Sequence, residues 1–286
     1  MNQRLLLRLE VFLDERIVKT QSISGGDISK TYKIETPNKS FFLKLNTNVN
    51  TTCMFQAEAN GLELIRNTNT IKTPKVIALG TFENTSFLLL EYIESKSAST
   101  QDFETLGNQL AKLHQCTSST FGLNHNNFIG SLAQSNKPHD SWLDFYIHER
   151  LLPQLKMANQ KRLLSDSECP SPQDIKKVLQ PLSEGVNPAL LHGDLWSGNY
   201  LISIDGTPYL IDPAAYYGHH EVDIAMSQLF GGFDNAFYNS YFSTIPQDKN
   251  TATRIELYQL YYLLVHLNLF GSSYHQSVIS ILRKYF

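Results

Sequence analysis

The chain is poor in the features that mark proteins for an oxidising compartment, a nucleic acid or a membrane. Its 286 residues include only three cysteines, Cys53, Cys116 and Cys169, widely separated and without a CxxC pair. An odd count at that spacing suits neither a disulfide framework nor a zinc site, and it fits a reducing cytosol. Positive charge is also scarce. Against 27 Asp and Glu stand 24 Lys and Arg, a net charge of −3, and a general nucleic-acid binder needs a basic surface. Long apolar runs are missing: LYYLLV near the carboxyl end falls far short of a membrane span. In the amino-terminal MNQRLLLRLEVFLDERIV the apolar residues are broken by Arg4, Arg8 and Glu10. That pattern is an amphipathic helix and not a signal peptide, so a cytoplasmic protein with no membrane partner is expected. Internal repeats and low-complexity tracts are absent too. What the chain does have is 42% apolar residues, enough to bury one large core or two smaller ones.

The first third has the pattern of an antiparallel sheet interrupted by one helix. ISGGDISKTYKIET opens on a glycine pair and continues with Ile28, Tyr32 and Ile34 at strand spacing. PNK supplies a turn, and SFFLKLN is a short strand. MFQAEANGLELI places Phe55, Leu62 and Ile65 at near-helical intervals, and VIALGTFENTSFLLLEYI is a hairpin turning at Glu83-Asn84. This small lobe, residues 1–94, ends at Tyr92 to Glu94. Residues 95–286 are mainly helical. Ser99 and Asp102 form a capping box ahead of Phe103, Leu106, Leu110 and Leu113, in a helix whose His114 suits a structural role. DSWLDFYIHERLLPQL is a second helix, and Ser171 caps a third with Pro172 in its first turn. RIELYQLYYLLVHLNLF is apolar nearly all round, hence a core helix.

The chemistry concentrates in LLHGDLWSGNYLI, residues 190–202. His192, Asp194 and Asn199 share one short loop between apolar runs, and Asp212 follows 13 residues after Asn199 in YLIDPA. A lone HGD also occurs in ordinary turns. An Asp, an Asn five residues later and a further Asp at a strand end, however, supply what phosphoryl transfer needs. One carboxylate orients the acceptor hydroxyl, while the amide and the second carboxylate hold Mg²⁺ against the phosphates of ATP.

Three features of the small lobe bear on the nucleotide. Gly25 and Gly26 would let the backbone approach phosphates closely, or are simply a hairpin glycine pair. Lys44 in FFLKLN is either an ammonium among apolar neighbours in need of an anionic partner or an edge-strand lysine with its head in water. Glu58, 14 residues on, could reach Lys44 from a helix packed on the sheet, or lie on a solvated face. Their order, Gly-Gly, Lys, Glu, then HGD, Asn and the late Asp, gives the set its specificity.

HGDLWSGN, DPAAYYGHHEVDIAMSQLFGGF, LYQLYYLLVHLNLFG, FFLKLN, MFQAEANGLELI and FGLNHNNFIGSLAQSNKPHDSWLDFYIHERLLPQL together resemble the fructosamine kinase (ketosamine 3-kinase) family, from about residue 20 onward. The resemblance implies an α+β, bilobal, protein-kinase-like fold with a small antiparallel-sheet amino-terminal lobe and a mainly helical carboxyl-terminal lobe. It implies ATP and Mg²⁺ as cofactors, with Lys44 on the phosphates, Glu58 holding Lys44, and Glu91, Tyr92 and Ile93 as a hinge facing adenine. Asp194 would be the catalytic base, and Asn199 and Asp212 the Mg²⁺ ligands. The implied partner is a small ketoamine or a glycated protein side chain, phosphorylated on the sugar's 3-hydroxyl so that the amine is freed; no obligate protein partner is evident. A kinase for choline or an aminoglycoside, and a non-catalytic nucleotide-binding scaffold, are the competing readings.

For the acceptor, Trp196 beside the base is the candidate aromatic face, or else a packing tryptophan. His219, Asp140, Trp142 and Asp144 are further candidates, each also open to a structural role. The chain departs from the family at two places. His220 stands where GHRE would put arginine, so a carboxylate there would be held less firmly, and His219, His220, Glu221 and Asp223 could at most gather a metal. Asp27 occupies a position where some relatives carry cysteine, which excludes cysteine-based control of that loop.

Overall fold

Alternation along SFFLKLN decides the layout of the first lobe. In the computed structural model, which describes residues 2–23, 29–48 and 50–286, this segment is the central strand of a five-stranded sheet. The amino-terminal elements are α1 (Gln3–Leu13), β1 (Lys19–Ile23), β2 (Lys30–Glu35), β3 (Ser40–Asn46), α2 (Thr51–Asn67), β4 (Val76–Phe82) and β5 (Thr85–Glu91). Every pairing is antiparallel, in the order β1-β2-β3-β5-β4. Successive side chains of a strand point to opposite faces. Phe41, Leu43 and Leu45 therefore join Leu5 and Leu9 of α1 in one apolar layer. Phe42 falls on the other face with Leu88 and Leu90, against Phe55, Ala59 and Leu62 of α2, and the period of two puts Lys44 there as well. Gly25, Gly26 and Asp27 lie outside the described residues. The strand β1 and its place beside β2 escape the sequence pattern because KTQSI is exposed along nearly its whole length and has no apolar alternation.

The chain leaves the sheet at Glu91, and the two-residue strand β6 (Ser95–Lys96) already pairs with a strand of the second lobe. There follow α3 (Thr100–His114), the hairpin β7 (Asn127–Ile129) and β8 (Leu132–Gln134), α4 (Trp142–Phe145), α5 (Leu152–Gln160) and α6 (Pro172–Leu179). Next come β9 (Ala189–Leu191), β10 (Tyr200–Ser203), β11 (Pro208–Leu210) and β12 (Tyr216–Gly218). The chain closes with α7 (Glu221–Leu229), α8 (Asn235–Thr244), α9 (Thr251–Phe270) and α10 (His275–Tyr285). The capping boxes at Ser99 and Ser171 form as the sequence indicates. The second predicted helix is not uniform: between α4 and α5, Tyr146–Leu151 is wound as a π-helix, a local widening with no composition signal. The helix α9 is buried on nearly every side. The large core reaches back to Ile65 and Ile71, so the end of α2 packs on the helical lobe. Among the described residues no helix is long and apolar enough to cross a membrane.

Candidate active site

The strand β9 is buried along its whole length and delivers the HGD loop into the cleft. Gly193 sits at φ +83°, and a Cβ there would lie 2.2 Å from the Ala214 carbonyl oxygen. Only glycine allows the two backbones so close at that dihedral. His192 is fully buried, and its Nε2 lies 2.8 Å from the Ile211 carbonyl. A carbonyl only accepts, so Nε2 carries the proton and Nδ1 is free to accept from the Asp194 amide at 3.2 Å. Burial pushes the His192 pKa down, which keeps the ring neutral. The Ala214 amide donates to the His192 carbonyl (2.9 Å) and the Ile211 amide to the Asn199 carbonyl (3.0 Å). The HGD loop and the DPA turn are thus stitched together, which brings Asp194, Asn199 and Asp212 into one site.

Asn199 has its orientation fixed. Its Nδ2 donates to the Asp194 carbonyl (2.8 Å) and to Asp194 Oδ2 (3.2 Å), which turns Oδ1 away from these partners. Asp212 adopts a left-handed φ of +54°, a conformation of higher energy for a residue with a side chain and one concentrated at functional sites. Its carboxylate is 41% exposed, and Lys44 Nζ reaches its Oδ1 at 2.5 Å. An amide oxygen and a half-exposed carboxylate are the donors a hard divalent cation takes, so these residues fit Mg²⁺.

Lys44 is neither on an edge nor in water. From β3 its ammonium meets Glu58 Oε1 of α2 at 2.9 Å as well as Asp212, and its side chain is 9% exposed. Burial works against the charge, but the two carboxylates outweigh it and raise the Lys44 pKa. One cation cannot neutralise both acids. Glu58, buried and facing Asp212, is pushed above the carboxylate range, while Asp212 is held below it by Lys44 against the partial desolvation of its place in the cleft. Gly61 of α2 lets the Pro213 ring approach to 3.0 Å of where a Cβ would be. The helix that carries Glu58 therefore rests directly on the turn that carries Asp212. Asp194 is the other perturbed acid. Burial, then the charge of Asp212, pushes it up to about 7, against the pull of the Asn199 amide. A carboxylate near 7 is poised to take a proton at neutral pH.

Of the three hinge positions, the amides of Glu91 and Tyr92 already donate, to the Lys75 and Ser40 carbonyls at 2.8 and 3.4 Å. Among the described residues Ile93 has no backbone hydrogen bond, so its amide and carbonyl remain open. Trp196 is 40% exposed and so is not buried in the core. Its ring lies across Gly198, where a Cβ would come within 2.3 Å of it. His219 does not join the acceptor side. It is buried against Trp142, Tyr258 and His220, with ring centroids 6.2, 5.5 and 4.5 Å away. Trp142 is itself buried and donates to the Tyr258 hydroxyl at 2.9 Å.

The metal reading of the HHE segment fails on its carboxylate. Ligand atoms of His219, His220 and Glu221 lie within 4.8 Å of one another, yet Arg254 of α9 grips Glu221 through Nε and Nη2, both at 2.6 Å, and Thr251 adds a third bond at 2.8 Å. Arg254 thus supplies Glu221 with the guanidinium that position 220 lacks, and Glu221 is held firmly. His220 Nδ1 lies 2.9 Å from the Tyr241 hydroxyl instead.

Sequence reasoning undervalued Asp223. Fully buried in α7, it accepts from the His192 and Gly193 amides at 2.7 and 2.8 Å and pairs with His114 Nε2 at 3.1 Å. It holds the loop that presents Asp194. Tyr262 holds the same loop from α9, donating to the Gly193 carbonyl at 2.9 Å. The only sequence signal for Asp223 is an acid on the apolar face of VDIAM.

A probable ketoamine kinase of Synechocystis is 41% identical over 272 residues, covering 94% of this chain and 90% of that protein. A solved structure from Haemophilus somnus, assigned as a fructosamine-3-kinase, superposes with a TM-score of 0.89 at 28% identity, covering 99% and 96% of the two chains. An aminoglycoside phosphotransferase solved with ADP and hygromycin B shares the fold at 16% identity and a TM-score of 0.62, over 97% of each chain. The bilobal, kinase-like α+β architecture is therefore common to this chain and both solved structures. Residues 6–286 match the family model for fructosamine kinase, and the chain belongs to that family of phosphotransferases.

Proposed function

We propose that this protein phosphorylates the 3-hydroxyl of ketosamines, fructosamines or ribulosamines, at the expense of ATP and with Mg²⁺, in the cytosol. The observation that supports this best is the meeting of Lys44, Glu58 and Asp212 on one side of the cleft with Asp194 and Asn199 on the other. Lys44 would hold the nucleotide phosphates, and Ile93 would offer its free backbone groups to adenine. Asn199 and Asp212 would hold Mg²⁺, which when bound neutralises charge building on the transferred group. Asp194 takes the proton of the acceptor hydroxyl as its oxygen attacks the γ-phosphorus and the bond to the ADP oxygen breaks. The 3-phosphate then lies next to the C2 carbonyl carbon. Enolisation toward C1 expels it as inorganic phosphate, and hydrolysis of the resulting unsaturated imine frees the amine. Repair of glycated amines and proteins follows from that chemistry.

An ADP-coupled assay across fructosyl and ribulosyl amines, choline and an aminoglycoside tests the assignment. Turnover of the ketoamines with release of free amine is the expected result. Choline or the aminoglycoside as the better acceptor would overturn it. Trp196 gives a second test, because its exposed ring beside the base would face the acceptor. Cation–π contacts are worth about 0.5–2 kcal/mol. Trp196→Ala should raise the ketoamine KM several-fold with the ATP KM little changed, and Trp196→Phe should fall between. A fall in melting temperature with both KM values raised would instead assign the ring to structure.

A further inference from the structure

A group of partly exposed aromatic rings flanks the catalytic loop and has no part in the chemistry above. Phe230 and Phe270 are 41% and 54% exposed. Between them stands His266, its ring centroid 4.6 Å from Phe230, 5.5 Å from Phe270 and 5.1 Å from Tyr274. Water-facing rings gathered around one imidazole are a binding surface in want of a ligand.

Two ties hold this cluster to the catalytic loop. His266 follows Tyr262 by one turn of α9, about 5.4 Å of rise, and Tyr262 is bonded to the carbonyl of Gly193. Phe230 precedes Gly232 by two residues, and a Cβ on Gly232 would lie 2.4 Å from the Ser197 Cβ. Tyr200, just past the loop, donates to the Gly232 carbonyl at 3.0 Å. Phe230 and His266 thus each lie within four residues of a residue bonded to, or packed on, the 193–200 segment.

The imidazole has a defined polarity. His266 Nδ1 lies 2.8 Å from the Tyr262 carbonyl, which can only accept, so Nδ1 carries the proton. In the neutral ring Nε2 then has a lone pair, and it has no hydrogen-bond partner among the described residues. Burial pushes the His266 pKa down, so the ring is neutral at pH 7 and does not repel a cation. Aromatic faces around one nitrogen acceptor recognise a substituted ammonium: the faces attract its charge and the lone pair takes its N–H.

We infer that Phe230, His266, Phe270 and Tyr274 form the subsite for the protonated secondary amine of the acceptor and the carbon chain it bears. This rests on the ketosamine reading, in which the amine nitrogen is separated from the reacting oxygen by only three carbons. The amine must consequently lie beside the catalytic loop, where the cluster is tied.

The test compares a fructosyl alkylamine with its uncharged oxygen isostere, a 1-O-alkyl fructose, each varied against fixed ATP. His266→Phe removes the acceptor and should raise the KM of the fructosyl alkylamine about 5–30-fold. The KM values for ATP and for the isostere should stay within two-fold. His266→Gln keeps an N–H for the Tyr262 carbonyl and an oxygen for the ligand, so it should restore most of the loss. Phe230→Ala should act on the amine substrate as His266→Phe does. Unchanged amine KM in both variants overturns the inference and leaves the ketosamine reading standing. So does an equal rise for amine and isostere, or a rise in ATP KM with a lowered melting temperature. Failure of the parent enzyme to turn over any ketoamine overturns both.

Discussion

Asp194→Asn will lower kcat by about 10²–10⁴ while making the unliganded protein more stable at pH 8. Both effects have one cause. Asp194 is held in a site where burial and the charge of Asp212 raise its pKa to about 7, which suits the proposed base at neutral pH and makes the charged carboxylate a liability to the fold. Its unfolded value is about 3.9. A folded-state pKa above the unfolded one means the folded protein binds the proton more tightly, so stability falls as pH rises between the two values and the penalty is complete above about 7. Each unit corresponds to about 1.4 kcal/mol, and water reaching the cleft reduces the total to on the order of 1–3 kcal/mol. Asparagine keeps an oxygen for the Asn199 amide, carries no charge and accepts no proton from the acceptor. Melting curves of parent and variant should diverge at pH 8 and draw together toward pH 4, with ATP binding retained throughout. Full turnover would remove the base from Asp194, and a destabilised variant at pH 8 would refute the electrostatic account.

The loop that carries this acid was legible because its chemistry is local. HGD, the asparagine five residues on and the aspartate of YLIDPA all lie within one short stretch, and glycine at 193 is a backbone requirement that shows in the sequence. Lys44 and Glu58 were legible for another reason. Strand alternation puts Lys44 on the face that α2 covers, and helical spacing puts Glu58 on the stripe with Phe55 and Leu62. The sequence left open whether Lys44 lay at an edge, since strand order is a property of the sheet. His219 next to His220 and Glu221 suggested a ligand set, but the partners that decide the matter, Arg254 and Tyr241, are 33 and 21 residues away from Glu221 and His220. The helix α8 went unseen because NAFYNSYFST buries only Ala236, Phe237 and Tyr241 and shows no clear stripe.

The largest long-range effect is expected at Asp223. Its two carboxylate oxygens receive the amides of His192 and Gly193, 31 and 30 residues earlier in the chain, with no exposure to water. Asp223→Ala leaves those two buried donors and His114 Nε2 without an acceptor. Each unsatisfied buried group costs about 1–3 kcal/mol, and removing a buried charged partner about 3–5 kcal/mol. Asp223→Asn is the finer instrument. The side chain keeps its shape, but one oxygen becomes an NH₂ that faces an N–H donor, so one of the two amides is lost from the anchor. The loop then no longer presents Asp194 at a fixed distance from the acceptor, and a misplacement of about 1 Å can cost 10²-fold in rate. Asp223→Asn should therefore lower kcat by about 10–10³ at 20 °C, well below its melting temperature, with the KM for ATP near that of the parent because the Lys44 side of the cleft is untouched. A purely structural aspartate predicts a lower melting temperature with parental kcat in the folded protein, and that outcome would remove Asp223 from the positioning of the base.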